Sequence, residues 1–408
     1  GLIEAEPWVD KDVVSRRTLR DDADRVVPLQ YVDPHGKTPG LQRLAFRARI
    51  PAFGYRVFRF AMDDAGEAAP SMVFGHRTDA LSFETAGYAL RLDPETGAIA
   101  SLVSKTTGRD IFAGAGHRGL IVDDPTDTWG HGTHSFPLEG ADLALESVRL
   151  IAEGPVETIV EVTAGRGETR FSTVIVLPAD ADLPVELRVT LDWREKHKLF
   201  RLAYPLGAGA FEYEVPAGWQ DRPDVGHEVP GLRWVRAVGD NQTVAIANDA
   251  KYSYAASDGT LYITAVRSPV FSHHDPIELR DDAFLRYMDQ GPHTFTLRIL
   301  AAETLSRSQA HGLADGLAKP PVVTTHVARG GQRPHAGAFL DVAPSDNVVM
   351  TTLKTAEDSD EPILRALELD GAAGSLAHGG SAVSLKPRRI ASARLRNGSL
   401  EETDGLER

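Results

Sequence analysis

Alternation of apolar and polar side chains recurs along this chain, and it restricts the fold more than any other feature of the sequence. It is clear at residues 44–50 (LAFRARI), 55–60 (YRVFRF), 156–164 (VETIVEVTA) and 185–193 (VELRVTLDW). Because successive side chains of a β-strand point to opposite faces of the sheet, each of these segments places its apolar side chains on one face. The pattern predicts half-buried antiparallel strands.

Turn signals separate these segments, and helical signals are rare. The segments 93–97 (DPETG), 106–108 (TTG) and 257–259 (SDG) each end in a glycine that can adopt a positive φ, which is typical of hairpin turns. One segment, 303–317, repeats apolar side chains at helical spacing before the KPP sequence ends it. We therefore predict an all-β chain with one helix.

The length and two breaks in the pattern predict three domains. At 408 residues the chain exceeds the size at which one hydrophobic core usually stops growing. Residues 62–72 are small and polar, and residues 318–334 contain the helix stop followed by a glycine-rich loop. We predict a small β-sandwich at 1–62 that is incomplete at its N-terminus, large paired sheets at 78–303, and a C-terminal β-sandwich at 322–408.

The charge and the absence of cysteine exclude several kinds of function. A formal net charge of −14 and a pI near 5.5 argue against nucleic acid or an anionic membrane as the main partner, because both need clustered Lys and Arg. Without cysteine there is no disulfide framework, no thiolate nucleophile and no thiolate zinc site. Only His, Asp and Glu side chains remain as metal ligands, and a neutral or cationic small ligand fits the charge better.

The segment 123–136 (DDPTDTWGHGTHSF) is the first candidate for a site. Asp127, His131 and His134 have the chemistry of a metal-ligand set, but the GHG sequence disfavours a helix that would place them on one face. The simpler alternative is an Asp-rich turn loop. Trp129 is then either a plug over the core or a platform on which a sugar stacks.

A second group of polar residues lies between 267 and 293. It contains Arg267, His273, His274, Asp275, Asp289 and His293. Such a group can bind hydroxyl groups or a charged transition state, and the alternative is a set of solvated loop residues. In residues 193–206, Glu195 and His197 are expected to share a strand face with Trp193, as a solvated or interface strip. The sequence contains no nucleophile elbow, phosphate loop or dinucleotide fingerprint.

Several stretches, taken in order, resemble the C-terminal half of glycoside hydrolase family 38, the α-mannosidases. They are GYRVFRF (54–60), LDPETGAIASLVSKTTGRDIF (92–112), DPTDTWGHG (124–132), WREKHKLFRLAYPL (193–206), EVPAGWQDRP (214–223), ANDAKYSY (247–254), RSP (267–269), DQGPHTFTLRIL (289–300) and VVMTTLKTAEDSDEPILRALELDG (348–371). The resemblance extends over residues 25–390. Asp289, Gly291 and His293 match a family Asp-x-Gly-x-His pattern, whereas Pro292, His273 and His274 depart from the family's usual residues.

The resemblance implies a fold, and it implies that the catalytic residues belong to a different domain. The middle piece is expected to be a galactose-mutarotase-like supersandwich flanked by two smaller β-sandwiches. In the family, an N-terminal barrel carries the aspartate nucleophile and the ligands of a zinc ion, and the reaction is retaining hydrolysis of α-mannosides. Nothing in this chain resembles that barrel, so we expect no catalytic residue and no metal site here, with zinc bound outside this chain.

The supersandwich of the family lends loops to the rim of the active site. The rim residues expected by position are Asp127, Trp129, His131, Arg267, Asp289 and His293. The expected partners are an α-mannoside or related glycan and the N-terminal catalytic domain, with no nucleic acid and no membrane. The start at Gly1, within ordinary domain sequence, suggests a piece of a longer protein. That parent enzyme is expected to be bacterial, cytoplasmic and homo-oligomeric.

Two other functions are open at this point. The first is an autonomous carbohydrate-binding module, with Trp129 and Trp219 as stacking platforms. The second is an aldose-epimerase-like enzyme, which needs a His and a Glu converging in the sheet cavity as acid and base. His197 or His227 would be paired with Glu195 or Glu228, although the sequence gives no reason to pair them.

Overall fold

The computed structural model describes residues 1–6, 17–32, 43–62, 75–130, 132–272, 285–326 and 330–407. Its first strands are short and belong to the N-terminal region. They are β1 (Leu2–Ala5), β2 (Arg17–Arg20), β3 (Val26–Val27), β4 (Leu29–Val32), β5 (Arg43–Arg47), β6 (Gly54–Arg56) and β7 (Arg59–Met62). They form the sheets β1-β5-β4 and β3-β2-β7. Ile3, Leu19 and Phe46 pack together between these two sheets, which makes a small sandwich.

The middle of the chain contributes twenty strands. They are β8 (His76–Thr78), β9 (Ser82–Glu84), β10 (Tyr88–Leu92), β11 (Ile99–Ser104), β12 (Arg109–Asp110), β13 (Arg118–Asp123), β14 (Ala141–Asp142), β15 (Ala144–Glu153), β16 (Glu157–Arg166), β17 (Thr169–Pro178), β18 (Val185–Trp193), β19 (Lys198–Pro205), β20 (Ala210–Val215), β21 (Gly218–Arg222), β22 (Val229–Pro230), β23 (Trp234–Val238), β24 (Thr243–Asn248), β25 (Ser253–Ser257), β26 (Thr260–Arg267) and β27 (Gly291–Ala302).

A helix and eight strands follow. They are α1 (Arg307–Ala318), β28 (Ala336–Ala338), β29 (Ala343–Pro344), β30 (Val348–Thr355), β31 (Pro362–Glu368), β32 (Gly374–His378), β33 (Ser381–Leu385), β34 (Ile390–Arg396) and β35 (Ser399–Thr403). The sheets β29-β32-β33 and β30-β31-β34-β35 enclose a core that includes Val348, Leu364 and Val383. This is the second small sandwich.

The middle strands build one large double-layered body. A ten-stranded sheet has the order β21-β20-β23-β24-β27-β18-β17-β16-β15-β8, and a six-stranded sheet has the order β14-β13-β19-β26-β25-β22. A four-stranded sheet, β12-β11-β10-β9, completes it. The largest hydrophobic cluster lies between these sheets and draws residues from all three. The expected all-β fold, a large supersandwich flanked by two smaller sandwiches, is therefore confirmed.

Strand β18 shows how the alternation of apolar and polar residues builds the supersandwich. Val185, Leu187 and Leu191 are buried in the large core, while Glu186 and Arg188 between them are only partly buried on the opposite face. That opposite face of the ten-stranded sheet is covered in two places. The sheet β1-β5-β4 packs on one part, and α1 packs on β23, β24 and β27 over the other.

Three local expectations need correction. The helix begins at Arg307, later than the expected 303, because Ser306 caps it and forms a capping box with Gln309. The expected strand at 55–60 is two strands, because β6 pairs with β28 from far along the chain. Glu195 and His197 do not share a strand face with Trp193, since β18 ends at Trp193 and both lie in the turn before β19.

The predicted domain limits at 1–62, 78–303 and 322–408 stay predictions. No helix among the described residues has the length and apolar character needed to cross a bilayer.

Candidate functional site

The residues expected at a substrate rim converge on loops at one end of the supersandwich. The first loop follows β13 and begins with Asp124, whose carboxylate is fully buried. Arg267, at the end of β26, donates from Nε to Asp124 Oδ2 (2.9 Å) and from Nη2 to Thr126 Oγ1 (2.7 Å). Thr126 Oγ1 in turn donates to Asp124 Oδ1 (2.6 Å). Arg267 is therefore fixed by the base of the loop, and its guanidinium also lies 4.9 Å from the ring centroid of Phe136.

Asp127 shapes the tip of the same loop. Its Oδ1 accepts hydrogen bonds from the backbone N–H of Trp129 (2.9 Å) and of Gly130 (3.1 Å). Gly130 follows with φ 59°, which suits glycine. The result is an Asx turn, as the simpler alternative from the sequence predicted. It presents Trp129 with 65% of its surface exposed, so Trp129 is not a plug over the core.

Hydrogen bonds join this loop to the segment that follows β26. Asp127 and Val270 form a parallel bridge, and Thr128 N–H donates to Val270 O (3.1 Å). Ser272 N–H donates to Thr128 Oγ1 (3.0 Å). These contacts place the exposed ring of Phe271 on the segment directly joined to the Trp129 turn.

Ser268 connects this segment to two further loops. It is fully buried, and its Oγ accepts from Trp193 Nε1 (2.8 Å) and Gln290 Nε2 (2.8 Å) while donating to Met288 O (2.6 Å). Its backbone carbonyl accepts from His197 N–H (2.9 Å). The hydroxyl of Ser268 thus ties the end of β18 to the loop before β27, and its backbone carbonyl adds the turn before β19.

The third loop carries Asp289 and His293. Asp289 is exposed and has φ 52°, and its carbonyl accepts from His293 Nε2 (2.7 Å) at the start of β27. The loop is held to the previous one by Met288 N–H, which donates to Pro269 O (3.1 Å), and by a bridge between Tyr287 and Val270.

The structure therefore brings five of the six expected rim residues to one loop cluster, and His131 lies outside the described residues. Asp127, Trp129 and Arg267 are on the two directly joined loops, and Asp289 and His293 are one loop away. His273, His274 and Asp275 also lie outside the described residues. The sequence pattern did not indicate Ser268 or Gln290 as site residues, although Ser268 is the middle residue of the Arg-Ser-Pro stretch at 267–269.

A groove with mixed charge adjoins the cluster. Its polar lining consists of Asp123, Glu139, Arg166, Glu195 and Lys198. Lys198 pairs with Asp123, and Glu195 Oε1 accepts from Thr169 Oγ1 (3.3 Å). The groove therefore offers both hydrogen-bond donors and acceptors, which suits a polyhydroxylated ligand.

The described residues do not form a metal site. No group of three or more His, Asp or Glu side chains among them is close enough to hold an ion. Within the set Asp127, His131 and His134, the Asp127 carboxylate accepts from backbone N–H groups of its own turn. We therefore assign no zinc ligand to the described part of this chain.

Trp219 is not a free stacking platform. The Arg307 guanidinium carbon lies 3.8 Å from its ring centroid, and that of Arg388 lies 5.3 Å away. Its Nε1 donates to Leu369 O (2.6 Å), and the ring packs with Val349, Leu367 and Leu369 in a small cluster separate from the core of the C-terminal sandwich. Trp219 joins the supersandwich to that sandwich.

The His and Glu residues proposed for an epimerase are not paired either. Glu228 accepts from Arg201, Ser253 and Thr264. The ring of His197 packs edge-on against Tyr287, with the ring centroids 4.9 Å apart. No hydrogen bond found in the described part of the chain joins His197 or His227 to Glu195 or Glu228.

A prediction follows from the position of Ser268. Ser268→Ala is expected to lower the free energy of unfolding by about 2 kcal/mol, because the buried Trp193 N–H loses its acceptor. Chemical denaturation of the variant and the unsubstituted protein measures this difference in free energy. The exposed Ser399→Ala is the matched control and should change stability by no more than about 0.5 kcal/mol. Equal effects of the two substitutions would contradict the role assigned to Ser268.

The fold and its loop cluster define the chain as a β-module built on a supersandwich, with a polar site formed by loops at one end. Residues 83–283 match the family model described as "Glycosyl hydrolases family 38 C-terminal domain". The chain thus contains the C-terminal β-domain of glycoside hydrolase family 38, and the part that the structure describes contains no α/β barrel.

Individual relatives agree with this assignment. The chain is 26% identical over 312 residues to alpha-mannosidase G of Dictyostelium discoideum, a match that covers 68% of this chain and 26% of that protein. A solved α-mannosidase structure from Enterococcus faecalis superimposes with a TM-score of 0.70 at 14% identity, covering 97% of this chain and 54% of that one. A second family 38 structure from the same organism gives 0.71 at 14% identity, covering 97% and 56%. The chain therefore spans about a quarter of the curated relative and about half of each solved structure.

Proposed function

We propose that this chain is the β portion of an α-mannosidase and that its loop cluster forms part of the rim of the active site. The reaction would be retaining hydrolysis of α-mannosides, with the nucleophile and the zinc ion carried by a barrel domain outside this chain. The name of the Dictyostelium relative and the family match support this function. A bacterial cytoplasmic location and a homo-oligomeric full-length enzyme belong to the same proposal and rest on the resemblance of the sequence.

The observation that carries the rim role is the rigid presentation of Trp129. The ring is 65% exposed, yet its turn is fixed by Asp127 and by backbone bonds to the Val270 segment. An exposed aromatic ring held on a preorganised loop is suited to stack on the apolar face of a sugar. The loop cluster offers no complete acid–base or nucleophilic set among the described residues, which supports a rim role over a catalytic one.

The test has two arms. This chain alone, assayed on an aryl α-mannoside with added zinc, is expected to give no turnover, and appreciable turnover would disprove the claim that the chemistry lies elsewhere.

Fusion to a family 38 barrel is expected to give an active enzyme. In that enzyme Trp129→Ala should lower kcat/KM roughly fivefold, because a sugar-stacking contact is of the order of 1 kcal/mol. Trp219→Phe is the control, since Trp219 lies at a different interface.

A second candidate is an autonomous carbohydrate-binding module. The exposure of Trp129 favours it, and the position of Trp219 between two arginines weakens it. Binding of α-mannosides by this chain alone, lost in Trp129→Ala, would support this candidate. An absence of binding together with an active barrel fusion would favour the rim role.

A further inference from the structure

A buried carboxyl group without a partner lies where the N-terminal sheet packs on the supersandwich. Glu157, the first residue of β16, is 1% exposed, and neither of its carboxyl oxygens has a hydrogen-bond partner. Gln30 of β4 is fully buried beside it, and its Oε1 accepts from the backbone N–H of Val156 (3.1 Å) and of Glu157 (3.0 Å). The Gln30 Nε2 group is also without a partner. The loop cluster described above uses none of these groups.

The register of the strands shows what faces Glu157. In the sheet β1-β5-β4, Ala45 pairs with Glu4 on one side and with Gln30 on the other, so these three side chains share a face. Ala45 belongs to the same small hydrophobic cluster as Val156 and Ile159, which lie on either side of Glu157 in the sequence. The N-terminal sheet is therefore the layer that covers Glu157.

The other charged side chains described in this interface pair with each other. From the N-terminal sheet, Arg43 bonds Glu4 (3.2 Å) and Glu6 (2.8 Å). From the supersandwich, Arg188 of β18 bonds Glu4 (2.5 Å) and Glu186 (2.7 Å), and Arg298 of β27 bonds Glu186 (2.8 Å). Three arginines thus pair with three carboxylates, and among the described residues no ion pair reaches Glu157.

We propose that Glu157 makes the docking of the N-terminal sheet on the supersandwich depend on pH. The sheet is held closed while this carboxyl is protonated and is released when the carboxyl ionises. A neutral carboxyl is tolerated in a dry interface, whereas an unpaired carboxylate there is not. Opening the interface gives the carboxylate water, which is the only way for it to ionise without the full desolvation cost.

Burial, with Glu4 and Glu186 adding to it and Arg188 opposing it, raises the pKa of Glu157 from 4.5 to about 8 in the closed state. Between these two values the closed state binds one proton more than the open state. Raising the pH therefore favours opening, and the opening constant rises about tenfold per pH unit. Below pH 4.5 both states are protonated and above pH 8 both are ionised, so the dependence ends at these limits.

The chain has no cysteine, which allows the interface to be probed by a single introduced thiol. Ala45→Cys places the thiol in the closed interface, where Ala45 is fully buried. Its labelling rate, divided by that of an unstructured cysteine peptide at the same pH, gives the opening constant. We expect this constant to rise about tenfold per pH unit between pH 5 and 7.5. In Ala45→Cys/Glu157→Gln it should be independent of pH.

Two further variants make the test decisive. Glu157→Met replaces Glu157→Gln if the latter does not fold, as checked by circular dichroism. Ala256→Cys reports opening of the main core, because Ala256 is buried in the supersandwich. An equal pH slope with and without Glu157 overturns the proposal. Equal labelling at Ala45 and Ala256 at every pH also overturns it, because the sheet would then open only when the whole molecule unfolds.

Discussion

Replacement of Arg267 by methionine is expected to lower the free energy of unfolding by about 3 kcal/mol, since it leaves a buried carboxylate without its cation. Asp124 is fully buried and receives its charged hydrogen bond from Arg267 Nε. This loss of stability lies at the low end of the range for breaking a buried ion pair, because the Arg267 side chain is 29% exposed and water can take its place. Urea denaturation of the two proteins measures the difference.

Two controls separate charge from geometry at this position. Arg267→Lys keeps the positive charge but lacks the fork that reaches both Asp124 and Thr126, so it should recover only part of the loss. Arg267→Met combined with Asp124→Asn removes both charges and should be more stable than Arg267→Met alone. A double variant as unstable as the sum of its single variants would show that the two side chains do not interact. The Trp129 turn should also loosen in Arg267→Met, and amide hydrogen exchange at Trp129 and Gly130 reports this.

The sequence predicts a strand well where one face of the strand is buried and the other is not, because the side chains then alternate between apolar and polar. In β18 the alternation of Val185, Leu187 and Leu191 with charged residues is local information, and the strand has the predicted limits of 185–193. The break at 57–58 was not predictable, because it depends on the pairing of β6 with β28, which lies about 280 positions later. Helix α1 begins where the Ser306 cap places it, and apolar periodicity alone does not reveal a cap.

The candidate site was predictable only in its local parts. The Asx turn of Asp127 and the exposure of Trp129 depend on residues within a few positions, and the glycine pattern indicates them. The pairing of Arg267 with Asp124 joins residues 143 positions apart and requires the order β13-β19-β26 in the sheet. Ser268 gave no signal because a serine in a loop is ordinary. Its importance comes from the contacts of its hydroxyl with the end of β18 and with the loop before β27, which are distant in sequence.

Acidification is expected to destabilise the supersandwich through His117, which lies in its core. Its ring nitrogens are hydrogen-bonded to Tyr204 OH (2.7 Å) and Thr173 Oγ1 (2.9 Å), and Phe171 packs beside it. Complete burial lowers the pKa of His117 from 6.5 to about 3. Between these values the unfolded chain binds a proton that the folded chain does not, so stability falls as the pH falls. The loss is about 1.4 kcal/mol per pH unit and about 5 kcal/mol by pH 3.

The wild-type chain will conceal this loss over part of the range, because Glu157 acts in the opposite direction. The pKa of Glu157 is raised to about 8, so its contribution to stability grows as the pH falls from 8 to 4.5. Between pH 5 and 6.5 the two slopes oppose each other and nearly cancel. Urea denaturation of Glu157→Gln should therefore uncover the His117 slope, a loss of about 2 kcal/mol between pH 6.5 and 5. His117→Gln should show the reverse, a gain in stability over the same interval, and Glu157→Gln/His117→Gln should be flat. Stability that does not change with pH in both single variants would show that neither group has the buried, shifted ionisation on which this expectation rests.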